Sequence, residues 1–304
     1  MKTFRILAVL GVLVALGLAM LGSWTRINQA GMTCPDWPLC RGAVVPVLHG
    51  GVVYEWTHRL IALIETLGIA TVIAAGLRVR SQIPALRGLL FALAGVFVLQ
   101  VLIGGATIFL ANSPISVMIH WGTAMLLLAT LTSIAVLAFA RDERGGPPVF
   151  GSRGTGPLIF VTAWLYVTMC IGAFVSSSGF GLACPSVPGC GPGFLGQNVA
   201  QGLQMTHRCF AYSFVVFAIA ALILTPRVLR RARRVLHVGL GLMLLQVALG
   251  GLNVVLLMPT DLRMAHAANA VLTFLSFLVA TVFASLDAER VPEKELSSGL
   301  PVPS

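Results

Sequence analysis

Charged side chains are scarce in this sequence. Only 10% of its 304 residues are Asp, Glu, Lys or Arg, and just ten of them are acidic. Soluble globular domains carry about 25% charged residues, so this scarcity excludes an ordinary soluble domain. Hydrophobic residues make up 57% of the chain, and the mean hydropathy is +0.93. The composition therefore predicts an integral membrane protein.

Eight apolar runs are long enough to cross a bilayer core, which needs about 20 apolar residues per helix. The predicted spans are 4–22, 57–77, 87–110, 117–140, 156–175, 205–225, 235–257 and 263–286. An even number of spans places both termini on the same side. Residues 1–22 also resemble a signal peptide, but the repeat described below pairs them with the fifth span. We therefore predict that this segment is retained.

Basic residues are distributed unevenly between the loops of the two sides. Fifteen of the twenty lie on one side: Lys2, Arg5, Arg78, Arg80, Arg87, Arg141, Arg144, Arg153, Arg227, Arg230, Arg231, Arg233, Arg234, Arg290 and Lys294. The positive-inside rule places this side, and both termini, in the cytoplasm of a multi-pass protein of the cell membrane. Because this bias accounts for the net charge of +10, we expect no nucleic-acid partner.

The two long loops predicted outside, 23–56 and 176–204, carry the same cysteine motif. The pattern Cys-Pro-x-x-Pro-x-Cys occurs at Cys34–Cys40 and again at Cys184–Cys190, 150 residues later. In an oxidising compartment each short pair is expected to form a disulfide, which stabilises its loop by about 2–3 kcal/mol.

Further motifs recur in the same order at offsets of 146 to 150 residues. They are Gly22 and Gly31 with Gly172 and Gly181, Glu55-Trp56-Thr57-His58-Arg59 with Gln204-Met205-Thr206-His207-Arg208, Gln100–Gly105 with Gln246–Gly251, and His120 with His266. This order predicts an internal duplication. The expected fold is all-α, with two tandem pseudo-symmetric four-helix bundles at 1–140 and 156–286, a cytoplasmic linker at 141–155 and a cytoplasmic tail at 287–304.

Four of the six histidines respect the repeat, and each begins an even-numbered span near the outer face. Within each bundle the two imidazoles can face each other, as axial ligands of a haem iron do. A single interfacial histidine more often snorkels to the lipid headgroups, but four repeat-matched ones favour iron ligands: His58, His120, His207 and His266. Zinc or copper fits less well, because each bundle offers only two histidines.

Several polar residues near these histidines are further candidates. Arg59 and Arg208 follow their histidines directly and could pair with haem propionates or act as interfacial anchors. Glu65 lies seven residues after His58, on the same helix face, where an intramembrane carboxylate indicates a function. Glu55 and Gln204 lie one turn before their histidines, and only Glu55 can carry charge or a proton. This asymmetry predicts one reactive site and one structural or electron-transfer site.

This ordered set of motifs resembles the haem A synthase family over residues 1 to about 286. The resemblance implies an enzyme that oxidises the C8 methyl group of haem O to the formyl group of haem A, which serves terminal oxidases. It implies that His58 and His120 hold the substrate haem O, that His207 and His266 hold a cofactor haem b, and that Glu55 is catalytic. The oxidation would proceed through two hydroxylations, and the haem iron would supply the oxidising power.

Two other functions remain open at this stage. A di-haem protein that transfers electrons from quinol would hold two haems b and make no formyl product. A haem-delivery protein would exchange its haem readily. The expected partners are haem O, haem O synthase, an electron donor or acceptor such as a quinone, and membrane lipid.

Overall fold

The structure is a computed structural model that describes residues 1–83, 85–140, 154–191 and 194–288. Within these ranges the chain forms eight long α-helices and two short 3-10 turns at Arg80–Gln82 and Phe180–Leu182. The long helices are α1 Lys2–Ile27, α2 Gly51–Val79, α3 Leu86–Phe109, α4 Pro114–Ala140, α5 Gly156–Ser177, α6 Val199–Leu224, α7 Arg230–Val255 and α8 Thr260–Ala288. All eight are long and apolar enough to cross a membrane, which confirms the predicted all-α membrane fold.

The helices extend beyond most of the predicted spans. Helix α2 begins at Gly51 rather than at 57, and α6 begins at Val199 rather than at 205. Hydropathy marks only the apolar part of a helix, whereas backbone hydrogen bonding continues into the polar boundary. The histidines of α2 and α6 therefore lie about two turns inside their helices.

Each set of four helices forms a closed ring. In the first ring, α1 packs against α2 and α4, and α3 packs against the same two helices. The second ring repeats this arrangement with α5 against α6 and α8, and with α7 completing it. Consequently α2 and α4 stand diagonally opposite each other, as do α6 and α8. These diagonal helices carry the four repeated histidines.

The two rings share one apolar core. Helices α1 and α4 of the first ring pack against α8 of the second, and α4 also packs against α5. Leu128, Leu131 and Phe277 are fully buried in this shared core. Burial of these side chains between the rings holds the two halves together.

One polar contact crosses between the halves at the ends of α1 and α5. The Arg26 guanidinium donates a hydrogen bond to the hydroxyl of Ser176, and these residues are 150 positions apart. They are therefore the same position in the two copies. Their contact lies where the axis that relates the halves passes through the molecule.

Some predicted features lie outside the described residues. They are most of the linker, at 141–153, most of the tail, at 289–304, and five basic residues that entered the charge bias: Arg141, Arg144, Arg153, Arg290 and Lys294.

Candidate functional site

The two cysteine loops lie over the ends of the rings that carry the histidines. Disulfides join Cys34 to Cys40 and Cys184 to Cys190. The four sulfur-bearing side chains are buried. Each loop is thus closed into a small covalent ring next to the start of α2 or α6.

Glu55 and Arg59 attach the first loop to α2. One oxygen of the buried Glu55 carboxylate accepts hydrogen bonds from the Thr33 hydroxyl, at 3.0 Å, and from the Cys34 amide, at 2.8 Å. The other oxygen pairs with the Arg59 guanidinium at 2.7 Å. Arg59 also donates to the carbonyls of Asp36 at 2.5 Å, Cys34 at 2.8 Å and Leu39.

Gln204 and Arg208 attach the second loop in nearly the same way. The Gln204 side-chain carbonyl accepts from the Cys184 amide at 2.5 Å, and its amide donates to the Gly181 carbonyl at 2.6 Å. Arg208 donates to carbonyls of the second cysteine loop, at 2.6 Å from that of Ser186. Both predicted propionate candidates, Arg59 and Arg208, therefore direct their guanidinium groups to loop carbonyls.

The first loop carries a titratable group that the second lacks. The exposed Asp36 carboxylate accepts from the backbone amides of Gly42, at 2.7 Å, and Arg41, at 2.5 Å. These hydrogen bonds, that from Gly42 foremost, hold the Asp36 pKa below its usual value of 3.8. Its counterpart Ser186 accepts from the Gly191 amide at 2.7 Å with an uncharged hydroxyl.

Every repeated histidine ring packs against a glycine of a neighbouring helix. A Cβ added to Gly22 would lie 3.0 Å from Cε1 of His58, and one added to Gly104 would lie 3.0 Å from Cε1 of His120. In the second ring the corresponding distances are 2.7 Å from Gly172 to His207 and 3.3 Å from Gly250 to His266. The glycines come from α1, α3, α5 and α7, so each ring contains two such glycine and histidine contacts.

The imidazoles of each diagonal pair face one interior. His58 of α2 and His120 of α4 belong to diagonally opposite helices of the first ring, as His207 of α6 and His266 of α8 do in the second. Nδ1 of His207 lies 3.2 Å from the Thr168 carbonyl. Because a carbonyl can only accept, Nδ1 carries the proton, and the lone pair is left on Nε2, the atom that binds iron in such an arrangement.

The repeated glutamine motif supports the later histidine of each ring. The Gln100 side-chain carbonyl accepts from the Thr123 hydroxyl, and that of Gln246 accepts from the Asn269 amide at 2.7 Å. The Gln246 amide nitrogen also lies 3.1 Å from Nε2 of His266. Thr123 and Asn269 lie one turn after their histidines, and sequence reasoning missed both. Their matched position three residues after each repeated histidine was the available signal.

Glu65 differs most from its counterpart in the second ring. Its side chain is 2% exposed, and neither carboxylate oxygen has a hydrogen-bond partner among the residues that the structure describes. Phe214 takes this position in α6, where its ring packs edge-on against Phe277 with 5.2 Å between centroids. Arg208 is the buried Lys, Arg, Asp or Glu side chain among the described residues of the second half, and it faces the loop instead.

The residues present fit a haem in each ring. A bis-histidine haem needs two imidazoles on opposite sides of a bundle and a close backbone approach, which the diagonal histidines and the four glycines provide. In the described parts of the chain, Nδ1 of His120 is buried without a hydrogen bond, so neighbouring protein groups do not fix which nitrogen of this imidazole carries the proton. No cluster of three or more His, Cys, Asp or Glu side chains occurs among the described residues.

Comparison with known proteins agrees with this arrangement. Relatives named Heme A synthase include one from Bacillus licheniformis, 27% identical over 88% of this chain and 91% of its own length. Another, from Shouchella clausii, is 28% identical over 90% of this chain and 96% of its own length. The sequence model of the COX15-CtaA family, described as cytochrome oxidase assembly protein, matches residues 5–278. The chain therefore belongs to the COX15-CtaA family of cytochrome oxidase assembly proteins.

Proposed function

We propose that this membrane protein synthesises haem A from haem O by oxidising the methyl group at C8 of the porphyrin to a formyl group. The observation that carries the proposal is the pair of glycine-backed imidazoles in each ring, with buried glutamates beside only one pair. Family membership and the relatives named Heme A synthase support an enzyme of haem A formation.

The first half, residues 1–140, is proposed to hold the substrate, with His58 and His120 as ligands of haem O. The second half, residues 156–286, would hold haem b on His207 and His266. Among the residues that the structure describes, the two buried glutamates, Glu55 and Glu65, belong to the first half. Because an oxidation needs groups that handle charge or protons, this distribution favours the first half as the reactive one.

The side chains of this protein cannot themselves oxidise a methyl group, and the haem iron would supply that chemistry. Glu55 is the proposed catalytic residue, either as an acid and base or as a negative group that stabilises an electron-poor methylene. Three hydrogen bonds orient the Glu55 carboxylate, which lies one helical turn before His58. Arg59 would contact a propionate through its Nε–H, because its terminal N–H groups donate to Glu55 and to the loop carbonyls.

Each cysteine loop would cover its haem site and keep bulk water from the reacting groups. In the proposed topology both loops lie outside the cell membrane and both termini lie in the cytoplasm, as the predicted charge bias requires. A thiol reagent that cannot cross membranes should label Cys34, Cys40, Cys184 and Cys190 from outside, and only after reduction. Labelling from the cytoplasmic side would overturn this orientation.

The proposed reaction needs partners that the chain does not contain. If water supplied the formyl oxygen, four electrons and four protons would leave the substrate, and an acceptor such as a membrane quinone would receive the electrons. If dioxygen supplied it, an electron donor would reduce the second oxygen atom of each dioxygen molecule to water. Haem O synthase would supply the substrate, and both haem O and quinone would reach the protein from the surrounding lipid.

The decisive experiment is porphyrin analysis of membranes from a host that makes haem O. With this protein present, extracted haem should include haem A, identified by mass. A protein that holds two haems b and yields no formyl product would instead be an electron-transfer protein. Ready haem exchange that is independent of Glu55 would indicate haem delivery.

A further inference from the structure

Glu65 is a buried carboxyl group that the proposed reaction does not use. It lies on the face of α2 that also carries His58, Ile69 and Val72, and the last two are buried in the apolar core. From His58 to Glu65 the helix rises about 10 Å away from the loop. An unpaired carboxyl group at this depth of a membrane protein is costly, so its retention indicates a bonding partner.

The space around Glu65 ends in an apolar floor. A Cβ added to Gly11 of α1 would lie 3.4 Å from Leu131 of α4 and 3.6 Å from Val72 of α2, so these three helices close together about 10 Å beyond Glu65. Glu65 therefore lies between the histidine level and this floor. A partner for its carboxyl group has to come from the interior of the first ring, on the side of the histidines.

The second ring has no such requirement at the same position. Phe214 stands at the position of Glu65, and Phe277 at the position of Leu131. The two phenyl groups pack edge-on against each other, so neither needs a polar partner. Ile69 and Val72 of the first half correspond to Ala218 and Ala221 of the second. These smaller alanine side chains offset the volume that the two phenyl groups add. The difference between the halves at this depth is thus one of polarity more than of volume.

The two haems of the proposed function differ in a matching way. Haem O carries a hydroxylated isoprenoid chain where haem b carries a vinyl group, on the part of the macrocycle away from the propionates. Because propionates are charged, they belong at the loop end of the ring, and the opposite edge then enters the membrane interior. That edge of the substrate carries a hydroxyl group, and the interior of the first ring carries an unpaired carboxyl group.

We propose that Glu65 hydrogen-bonds the hydroxyl group of the isoprenoid chain of haem O and so selects haem O over haem b at the His58 and His120 site. This inference rests on the proposed function. A carboxyl group suits the task in either protonation state, since it can accept from or donate to a hydroxyl. A site built to bond a hydroxyl discriminates strongly against an analogue that lacks it, because the buried polar group is then left unpaired.

The test is the affinity of the purified protein for haem O relative to haem b, measured by spectroscopic titration of the first-half site. Glu65→Met removes the polar atoms and keeps the length of the side chain, and Glu65→Gln keeps hydrogen-bonding capacity. We expect Glu65→Met to reduce the preference for haem O by about 10- to 100-fold, as for the loss of one hydrogen bond to a buried carboxyl group. Glu65→Gln should retain most of the preference.

Phe214→Met is the matched control in the second half and should leave this preference unchanged. Retained haem b on His207 and His266 shows that each variant is folded. The empty Glu65→Met protein should also be more resistant to thermal unfolding than the parent, because a buried unpaired carboxyl group has been removed, while its haem O binding weakens.

An unchanged affinity ratio in Glu65→Met would overturn the inference, even if turnover fell, since slower turnover alone would indicate proton transfer. Failure of the parent protein to bind haem O at all would instead overturn the proposed function.

Discussion

The two halves of this protein share one frame, but the second helix of the first half buries two carboxyl groups that the second helix of the other half lacks. In both rings diagonal histidines rest on glycines, and a cysteine loop is fastened to the helix by an arginine. The first half adds Glu55 and Glu65 where the second has Gln204 and Phe214. The comparison teaches that the frame of histidines, glycines and cysteine loops is duplicated, whereas the buried carboxyl groups are confined to one copy.

The attachment of the loops sharpens this comparison. Glu55 and Gln204 accept a hydrogen bond from the amide of the first loop cysteine in the same way. An amide therefore suffices to fasten a loop, and the carboxylate of Glu55 is not required for that purpose. The charge of Glu55 instead forms an ion pair with Arg59 that Gln204 cannot form with Arg208.

The largest expected effect comes from removing one histidine at a time. His207→Ala or His266→Ala should abolish the stable low-spin b-type spectrum, because one axial ligand is lost. His58→Ala or His120→Ala should abolish haem A formation and leave that spectrum in place. Absorption spectra of the four purified variants separate the two halves. Identical spectra in all four would erase the distinction between a substrate site and a cofactor site.

The second largest effect on haem A formation is expected from replacing the Glu55 carboxylate. Glu55→Gln gives the first half the side chain of the second, which can still accept from the Cys34 amide but loses its ion pair with Arg59. Haem A formation should fall by about 10²- to 10⁴-fold, as for the loss of one acid or base, and haem O should accumulate.

Gln204→Glu serves as the reciprocal variant. It should not restore activity to Glu55→Gln, because the second half is proposed to hold a cofactor. Near-normal haem A output from Glu55→Gln would reduce the carboxylate to a structural role.

A smaller effect is expected at the glycines. Gly172→Ala would place a methyl group 2.7 Å from the His207 ring, whereas Gly250→Ala would leave 3.3 Å to His266. The first substitution should therefore speed haem b dissociation by about tenfold, as overpacking does, and the second should have less effect. Transfer of haem to an acceptor protein measures the rate. Alanine stabilises a helix relative to glycine, so faster loss of haem could not be ascribed to a weakened helix.

The smallest effect is a difference in acid sensitivity between the loops. Asp36 has a lowered pKa in the folded loop, so its carboxylate stabilises the loop above the unfolded pKa. This contribution is lost as the pH falls below about 3.8 through the lower folded pKa. Trp37 packs on Gly105, and its fluorescence should change over this pH range in the parent protein but not in Asp36→Asn. The second loop, with Ser186 and Val187, should show no matching transition.

Much of the frame could be predicted from the sequence, because hydropathy and repetition report it directly. The eight helices and the diagonal placement of His58 and His120 follow from span length and topology. The direction of long side chains does not follow from such patterns. The sequence leaves Arg59 as a propionate partner or an interfacial anchor, and it does not show that the guanidinium also bonds the loop carbonyls, since a flexible side chain bonds whichever acceptors the fold brings near.

The glycines show a second limit of sequence reasoning. Gly22 and Gly172 were visible as repeated residues, but a small residue in a membrane helix usually indicates helix packing. The structure shows that a histidine ring occupies the space next to each glycine, where a larger residue would place its side chain. Likewise, spacing placed Glu65 on the face of His58, whereas the absence of a bonding partner among the described residues depends on three-dimensional neighbours.

The contact between Arg26 and Ser176 bears on the origin of the chain. In a symmetric dimer of two separate four-helix units, a position on the axis meets its own copy. Two arginines would repel each other there, and two serines would provide no cation. An arginine facing a serine requires that the two copies have separate sequences, as they do in this duplicated polypeptide. Separate sequences also allow the first half to carry Glu55 and Glu65 where the second half carries Gln204 and Phe214.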